Sequence, residues 1–382
     1  MSNKYMIPEG TRDLILQDCK AKKKLQKDIE SILDKWGYEE IVTPTIEFYQ
    51  TFNSGFQNLK EEDVYKFFDS KGRILVLRPD MTIPIARVCA TKFNNTDKPI
   101  RLRYCSDVFR VHESLGGKKN EYTDCWVELI GLESSKADLE ILLTALDTLK
   151  VLHNTNFNLE IGNIDFFNSA IKDLNLNEEE IFSLSNLIDR KSLKELDDFL
   201  DELKVQKEYK EFFKELPWLF GGADILVKAK KYAFNKEIKA SLEYLEEISK
   251  DLEELGYKDN ITFDLGMVPR LNYYSGIIFK GYADGVGTTV LSGGRYDNLN
   301  ATFGKDRPAI GFSINLDSML ATIKDNSLEK VTKYLVIYDN KNKVKAIKKS
   351  MDLREEGKIA VLTEKKGTVD IIVEKVVLDI WV

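Results

Sequence analysis

The spacing of apolar positions divides the chain into helices and strands. Residues 18–36 carry Leu25, Ile29, Ile32, Leu33 and Trp36 on one stripe, predicting an amphipathic helix ended by Gly37. GYEEIVTPTIE then reads as a short strand stopped by Pro44, and RILVLRPDMT as a second strand running into a proline-stopped turn. TIPIARVCATKF reads as helical. IRLRYCSDVFRV and YTDCWVELIGLES alternate as strands, and the gap holding SLGGKK predicts a hairpin with a long, mobile loop. SKADLEILLTALDTLKVL predicts a helix with Ser135 as candidate cap, and FNLEIGNIDFFNSAI a strand leading into a helix. From about 175 to 255 a Lys-, Glu-, Leu- and Asp-rich helical stretch, interrupted by LPWLFGG, reads as an insertion. Strands return in ITFDLGMV, SGIIFKGYA, TVLSGGRYDNL and AIGFSI, and 331–382 reads as strand, helix, strand, strand. Without a regular βαβ rhythm, this order predicts an α+β core on a largely antiparallel sheet, with a small α/β unit after it.

Bulk properties narrow the class. At 382 residues the chain predicts two or three domains. A net charge of −7 disfavours a general nucleic-acid binder. Cys19, Cys89, Cys105 and Cys125 lie far apart without a C-x-x-C pair, so reduced cytoplasmic thiols are expected rather than a disulfide framework. The first residues lack the apolar stretch of a signal peptide, and no run of about 18 apolar residues predicts a membrane span. With only His112 and His153 beside those scattered cysteines, no zinc site is expected, while the abundant carboxylates leave a Mg²⁺ site open.

Four stretches concentrate polar residues that a plain core would not choose. LRPDMT (77–82) sets an arginine and an aspartate around a proline turn, which suits either a site or a solvated ion pair. Arg101, Arg103 and Arg110 recur along a predicted strand pair. Their rigid donor forks suit phosphate or carboxylate, although a solvated sheet face is the favoured reading. Glu128 lies between Val127 and Leu129 and so points away from their face, toward a ligand or toward water. In VPRLNYYSGIIFKGY (268–282), adjacent tyrosines on one strand would put their rings on opposite faces, so that one phenol needs a polar partner in a partly buried place. Gly293-Gly294 allows close approach of a ligand or backbone, or simply makes a turn. No phosphate-binding G-x-x-x-x-G-K-[ST] loop and no strand-bound G-x-G-x-x-G occurs.

Taken in order, GYEEIVTPTIE, LRPDMT, VFR…VELIG, LNYYSGIIF, SGGRYDNL and AIGFSINLD resemble the catalytic core of histidyl-tRNA synthetase, a class II synthetase. IPEGTRDL is similar to that family's start, and the resemblance covers about residues 5–320. It implies an antiparallel sheet flanked by helices, with dimerisation through the first motif. The family's motif 2 arginine is matched by Arg110. Asp124 stands where the family has a glutamine, Asn120 where an arginine stands, and Ser318 where motif 3 ends in arginine. The histidine-specific motif opens here with Pro269, and Arg270 follows one place later, where an extended segment turns it to the other face. Each lost transition-state donor costs on the order of 10²–10³ in rate, so adenylation is expected to be negligible.

By resemblance, Glu128 and Tyr274 read an imidazole, Asp80 meets an α-ammonium, and Tyr273, Arg110 and Asp124 complete a vestigial histidine pocket. A synthetase-like core lacking catalytic arginines, with about 50 residues after Lys330, resembles the regulatory subunits of ATP phosphoribosyltransferase. That segment holds 11 Lys and Arg against 8 Asp and Glu, too mild a bias to bind tRNA. The resemblance implies a synthetase-like core over 1–325 and a truncated α/β unit over 331–382. It further implies no cofactor, no chemistry and cytoplasmic location. The expected partners are the short-form catalytic subunit, a second copy of this chain within a hetero-octamer, and free histidine, held either in the old pocket or at a subunit interface, with no membrane or nucleic acid. A divergent aminoacyl ligase and a tRNA sensor are the rival readings.

Overall fold

The computed structural model describes residues 3–55, 61–112, 119–133, 135–153, 155–268, 274–323, 331–365 and 370–378. The chain forms two compact units, Met1–Asp13 with Lys22–Ile323, and Leu14–Ala21 with Lys324–Val382.

The first long helix, α1 (Leu16–Lys35), buries Leu25, Ile29 and Leu33, every fourth residue along one stripe. Gly37, with φ of +79°, stops it. The Gly37 N–H reaches back to the Asp34 carbonyl at 3.0 Å and the Tyr38 N–H to that of Leu33 at 3.1 Å, a paired C-terminal cap. The chain then passes through β1 (Glu39–Glu40), β2 (Ile46–Phe48), α2 (Tyr49–Gly55), β3 (Lys66–Phe68), β4 (Ile74–Leu77) and α3 (Thr82–Lys92). The long hairpin β5 (Ile100–Phe109) and β6 (Glu121–Ile130) follows, then α4 (Ser135–Leu149), β7 (Phe157–Asn163) and α5 (Ile164–Ile171). Because α4 begins with Ser135 itself, its cap position falls on residue 134, outside the described residues.

Next come α6 (Glu178–Asp189), α7 (Leu193–Glu202), α8 (Lys207–Glu215), β8 (Phe220–Gly221), α9 (Asp224–Ala229) and α10 (Lys236–Glu254). Asparagines start several of these helices. Asn177 and Glu180 exchange a reciprocal capping box, and Asn235 Oδ1 accepts the Ile238 N–H at 2.7 Å. The core closes with β9 (Ile261–Asp264), β10 (Ile277–Ala283), β11 (Leu291–Arg295), β12 (Ala309–Asn315) and α11 (Leu316–Thr322).

A nine-stranded sheet runs β1-β5-β6-β12-β11-β10-β7-β9-β8. Only β1–β5 and β7–β9 pair in parallel among these neighbours, so the α+β class on a largely antiparallel sheet holds. Alternation along β6 divides the molecule. Cys125, Val127 and Leu129 enter one core with α1, α4 and α10, while Trp126 and Ile130 enter a second core over α3. Cys105 and Cys125, distant in sequence, stand directly opposite each other across β5 and β6 as free thiols.

In the C-terminal unit, β13 (Val331–Tyr338), α12 (Lys343–Glu355), β14 (Ile359–Glu364) and β15 (Ile372–Leu378) form a three-stranded sheet ordered β14-β13-β15. Val336, Ala346, Leu353 and Ala360 make its small core.

Candidate functional site

A cavity of about 800 Å³ opens on the second-core face of the sheet, in the first unit. It is bounded by the ends of β6, β11 and β12 and by the start of α3. That volume suits a small metabolite. Five of the six residues expected at the site, Asp80, Arg110, Asp124, Glu128 and Tyr274, line it together. Tyr273, like Pro269 and Arg270, lies outside the described residues. Tyr274 precedes β10 rather than lying on a strand.

Glu128 is only 1% exposed. It projects from the face of β6 opposite Val127 and Leu129, and two phenols hold it. The Tyr104 hydroxyl donates to Oε1 at 3.4 Å and the Tyr296 hydroxyl to Oε2. Burial, with Asp80 beside it, pushes this carboxyl well above the usual range. The space for Glu128 exists because its cross-strand partner is Gly311. A Cβ there would overlap Glu128 Oε2 and the Val127 carbonyl. Gly293 meets the same constraint one strand further, against the Gly311 carbonyl and Phe312. The glycine pair of SGGRYDNL thus permits close packing within β11 rather than making a turn.

Asp80 sits where β4 passes into α3, and its Oδ1 accepts the Thr82 and Ile83 N–H groups at 2.7 and 3.3 Å. Burial raises its pKa against these bonds and against Arg110, whose guanidinium is 3.7 Å away. Arg110 also donates to the Pro79 carbonyl at 2.7 Å, which fixes it beside the proline turn. Asp124, four residues before Glu128 and on the same face, faces Asn315 across the ladder and accepts its Nδ2 at 3.0 Å. Asn315 Oδ1 meanwhile caps α11 by accepting the Ser318 N–H at 2.7 Å. Burial lifts Asp124 to about 7, opposed by Arg110 and the Asn315 amide.

The inner cavity therefore presents three carboxylates, Asp80, Asp124 and Glu128, to one guanidinium, Arg110. Such a wall suits ammonium and imidazole N–H donors. Nucleotide phosphates would meet Asp124 where a neutral amide would be less repulsive.

Other sequence expectations resolve differently. Arg78 forms no ion pair with Asp80. It is buried, donating from Nε to the Asp107 carbonyl at 2.9 Å and from a terminal nitrogen to that of Thr43 at 3.0 Å. Arg101 binds Glu140 through two bonds of 2.7 Å and Arg103 binds Asp34 at 2.7 Å, so both turn away from the cavity as a structural face. Asn120 ties the start of the chain to the hairpin, its N–H reaching the Gly10 carbonyl at 2.8 Å and its Nδ2 that of Glu9 at 3.2 Å. The SLGGKK loop lies outside the described residues apart from Lys119.

The family model described as histidyl-tRNA synthetase matches residues 10–319. An ATP phosphoribosyltransferase regulatory subunit of Clostridium botulinum (strain Langeland) is 40% identical, over 97% of this chain and 92% of that protein. One from Clostridium kluyveri is 41% identical, over 94% and 93%. This chain belongs to the ATP phosphoribosyltransferase regulatory subunits. A crystal structure described as an ATP phosphoribosyltransferase regulatory subunit/histidyl-tRNA synthetase from Bacillus halodurans superposes with a TM-score of 0.85 at 29% identity, covering 96% of this chain and 94% of that one. Histidyl-tRNA synthetase from Nostoc shares the fold, with a TM-score of 0.78 at 20% identity, over 96% and 87%.

As a regulatory subunit of ATP phosphoribosyltransferase, the chain carries a cavity with an acidic wall on a synthetase-like fold. The sequence reading missed the two phenols on Glu128, and it missed Asn315, Lys119 and Asp317. Tyr104 was legible from its alternation with Leu102 on β5, and Tyr296 from its place in SGGRYDNL. No sequence signal joins Asp124 to Asn315, since only the β6–β12 register brings them together.

Proposed function

We propose that this chain is a non-catalytic regulatory subunit that binds the short-form catalytic ATP phosphoribosyltransferase and conveys histidine feedback to it. The catalytic chain performs the first step of histidine biosynthesis; this chain biases it between active and inhibited arrangements through differential histidine affinity. One observation carries the reading: the cavity has an acidic wall for an ammonium and an imidazole, while Asp124 stands at a motif position calling for a neutral amide and Ser318 at one calling for a cation. In this reading the imidazole meets Glu128 and Tyr274 and the α-ammonium meets Asp80.

The subunit further pairs with a second copy within a hetero-octamer. Val42 (83% exposed), Ile46, Phe48 and Phe68 (73% exposed) support this, being large apolar side chains left in solvent around β2 and β3.

The test is co-purification with a short-form catalytic subunit, followed by activity assays with and without this chain and with histidine. Association with a change in activity is expected, and Tyr274→Ala is expected to weaken histidine inhibition. Failure to associate removes the reading. Robust ATP–pyrophosphate exchange with histidine replaces it with the aminoacyl-ligase alternative.

A further inference from the structure

Beyond the acidic inner wall, the cavity has an outer end of opposite character. Asp317, on the first turn of α11 and lining the cavity, is the common partner of three cations from three separate segments. Arg12 bonds its Oδ1, while the Lys22 and Lys119 ammonium groups lie 3.7 and 3.6 Å from the same oxygen. The other oxygen, Oδ2, accepts the Thr123 N–H at 3.3 Å, which pins the carboxylate to β6. Two of these cations are largely withdrawn from solvent, whereas the Arg12 side chain is 40% exposed. The Lys22 and Lys119 side chains are 16% and 32% exposed, and Lys119 lines the cavity.

One carboxylate cannot pair fully with three positive groups, so the cluster around Asp317 carries a positive surplus in a partly desolvated place. Like charges crowded there raise the energy of the empty site, and a bound dianion would relieve it. Desolvation and the neighbouring cations hold the Lys119 pKa below its ordinary value, despite Asp317. Asp317 itself lies below the usual carboxylate range: Lys22, Lys119 and Arg12 together outweigh its burial. None of the three cations stands at a motif position where the synthetase resemblance placed nucleotide-binding arginines.

We propose that Arg12, Lys22 and Lys119 form a phosphate subsite around Asp317, beside the part of the cavity wall that Lys119 and Asp317 line, and that the cavity takes a phosphate monoester carrying a basic nitrogen. The phosphate would meet the cation cluster, and the nitrogen the carboxylates deeper along β6. Asp124 is the next residue along that strand after Thr123 and lines the cavity, so it is the carboxyl within reach of a small ester whose phosphate meets the cluster. The cation cluster and the Asp124 carboxyl thus adjoin on one strand. The identity of the nitrogenous end rests on the histidine-pocket reading; the phosphate subsite does not.

L-Histidinol and its phosphate monoester differ only in the phosphate and make a matched pair of probes. Calorimetric titration of the full chain is expected to show the ester binding at least about tenfold more tightly than the alcohol, with the advantage shrinking as salt is raised. Lys22→Gln and Lys119→Gln together are expected to abolish that difference while leaving the alcohol's affinity unchanged. Circular dichroism and the melting curve verify that the double variant is folded, and Lys119→Gln alone provides the readout otherwise. Equal affinity for alcohol and ester in the unaltered chain overturns the proposal, even where histidine binds. If histidine and the alcohol fail to bind while inorganic pyrophosphate binds in a lysine-dependent way, the subsite stands and the histidine-pocket reading falls.

Discussion

Gly311 lies directly opposite Glu128 in the β6–β12 ladder, and the position a methyl group would take at residue 311 is filled by the glutamate's Oε2. The glycine is therefore the negative imprint of a buried carboxylate. Gly311→Ala is expected to cost about 1–3 kcal/mol by overpacking and to displace Glu128 from its two phenols. Melting temperature and histidine affinity should fall together. A variant that melts lower but keeps histidine affinity would detach Glu128 from ligand binding.

Asp124 supplies a pH signature. Its folded pKa is about 7, above an unfolded value of roughly 3.9. A carboxyl with a raised folded pKa binds more protons folded than unfolded, so its contribution lowers stability as pH rises from about 4 to about 7. Asp124→Asn is expected to stabilise the protein by on the order of 1–4 kcal/mol at pH 8 and by little at pH 4. Asp80 and Asp317 interact with Asp124 electrostatically, so the difference between the two stability curves reports residue 124 together with its effect on these two neighbours. A difference that does not vary with pH would contradict the assignment.

A buried ion pair holds the sheet to α4. Arg295 on β11 donates from Nε to Asp138 Oδ1 at 2.9 Å and from a terminal nitrogen to Asp297 at 3.1 Å, while the Tyr244 hydroxyl donates to Asp138. Asp138→Ala leaves the guanidinium under-compensated and is expected to cost about 3–5 kcal/mol, measured by urea denaturation. The paired replacement of Asp138 and Arg295 by apolar residues of similar volume is expected to cost less than the single change.

The apolar surface near β2 gives a test of self-association. Ile46→Lys combined with Val42→Asp is expected to shift the sedimentation of the isolated chain from dimer to monomer while lowering its stability by no more than about 1 kcal/mol, since both side chains are already exposed. An unchanged sedimentation coefficient would place the self-contact elsewhere.

Much of the fold was legible from sequence because its signals are local. The stripe Leu25–Ile29–Leu33 followed by Gly37 fixes α1 and its end, and alternation along 121–130 separates Val127 and Leu129 from Glu128. What escaped depends on distant pairing. Arg78 reads as half of a surface ion pair until Thr43 and Asp107 offer it carbonyls. Asp317 reads as an ordinary first-turn acid until three separate segments deliver cations to it. Cys105 and Cys125 meet only through the register of a hairpin. Periodicity reports which face a residue takes, and register decides what it finds there.

Arg78 has a mechanical consequence. A single guanidinium grips the backbone on both sides, Thr43 leading into β2 and Asp107 within β5, while the Arg78 carbonyl receives the Phe109 N–H at 3.0 Å. Asp80 hangs from the same turn, only Pro79 intervening. The strand edge flanking the exposed apolar residues and the turn that presents Asp80 are therefore riveted into one stiff plate, and a load applied at one margin is borne at the other.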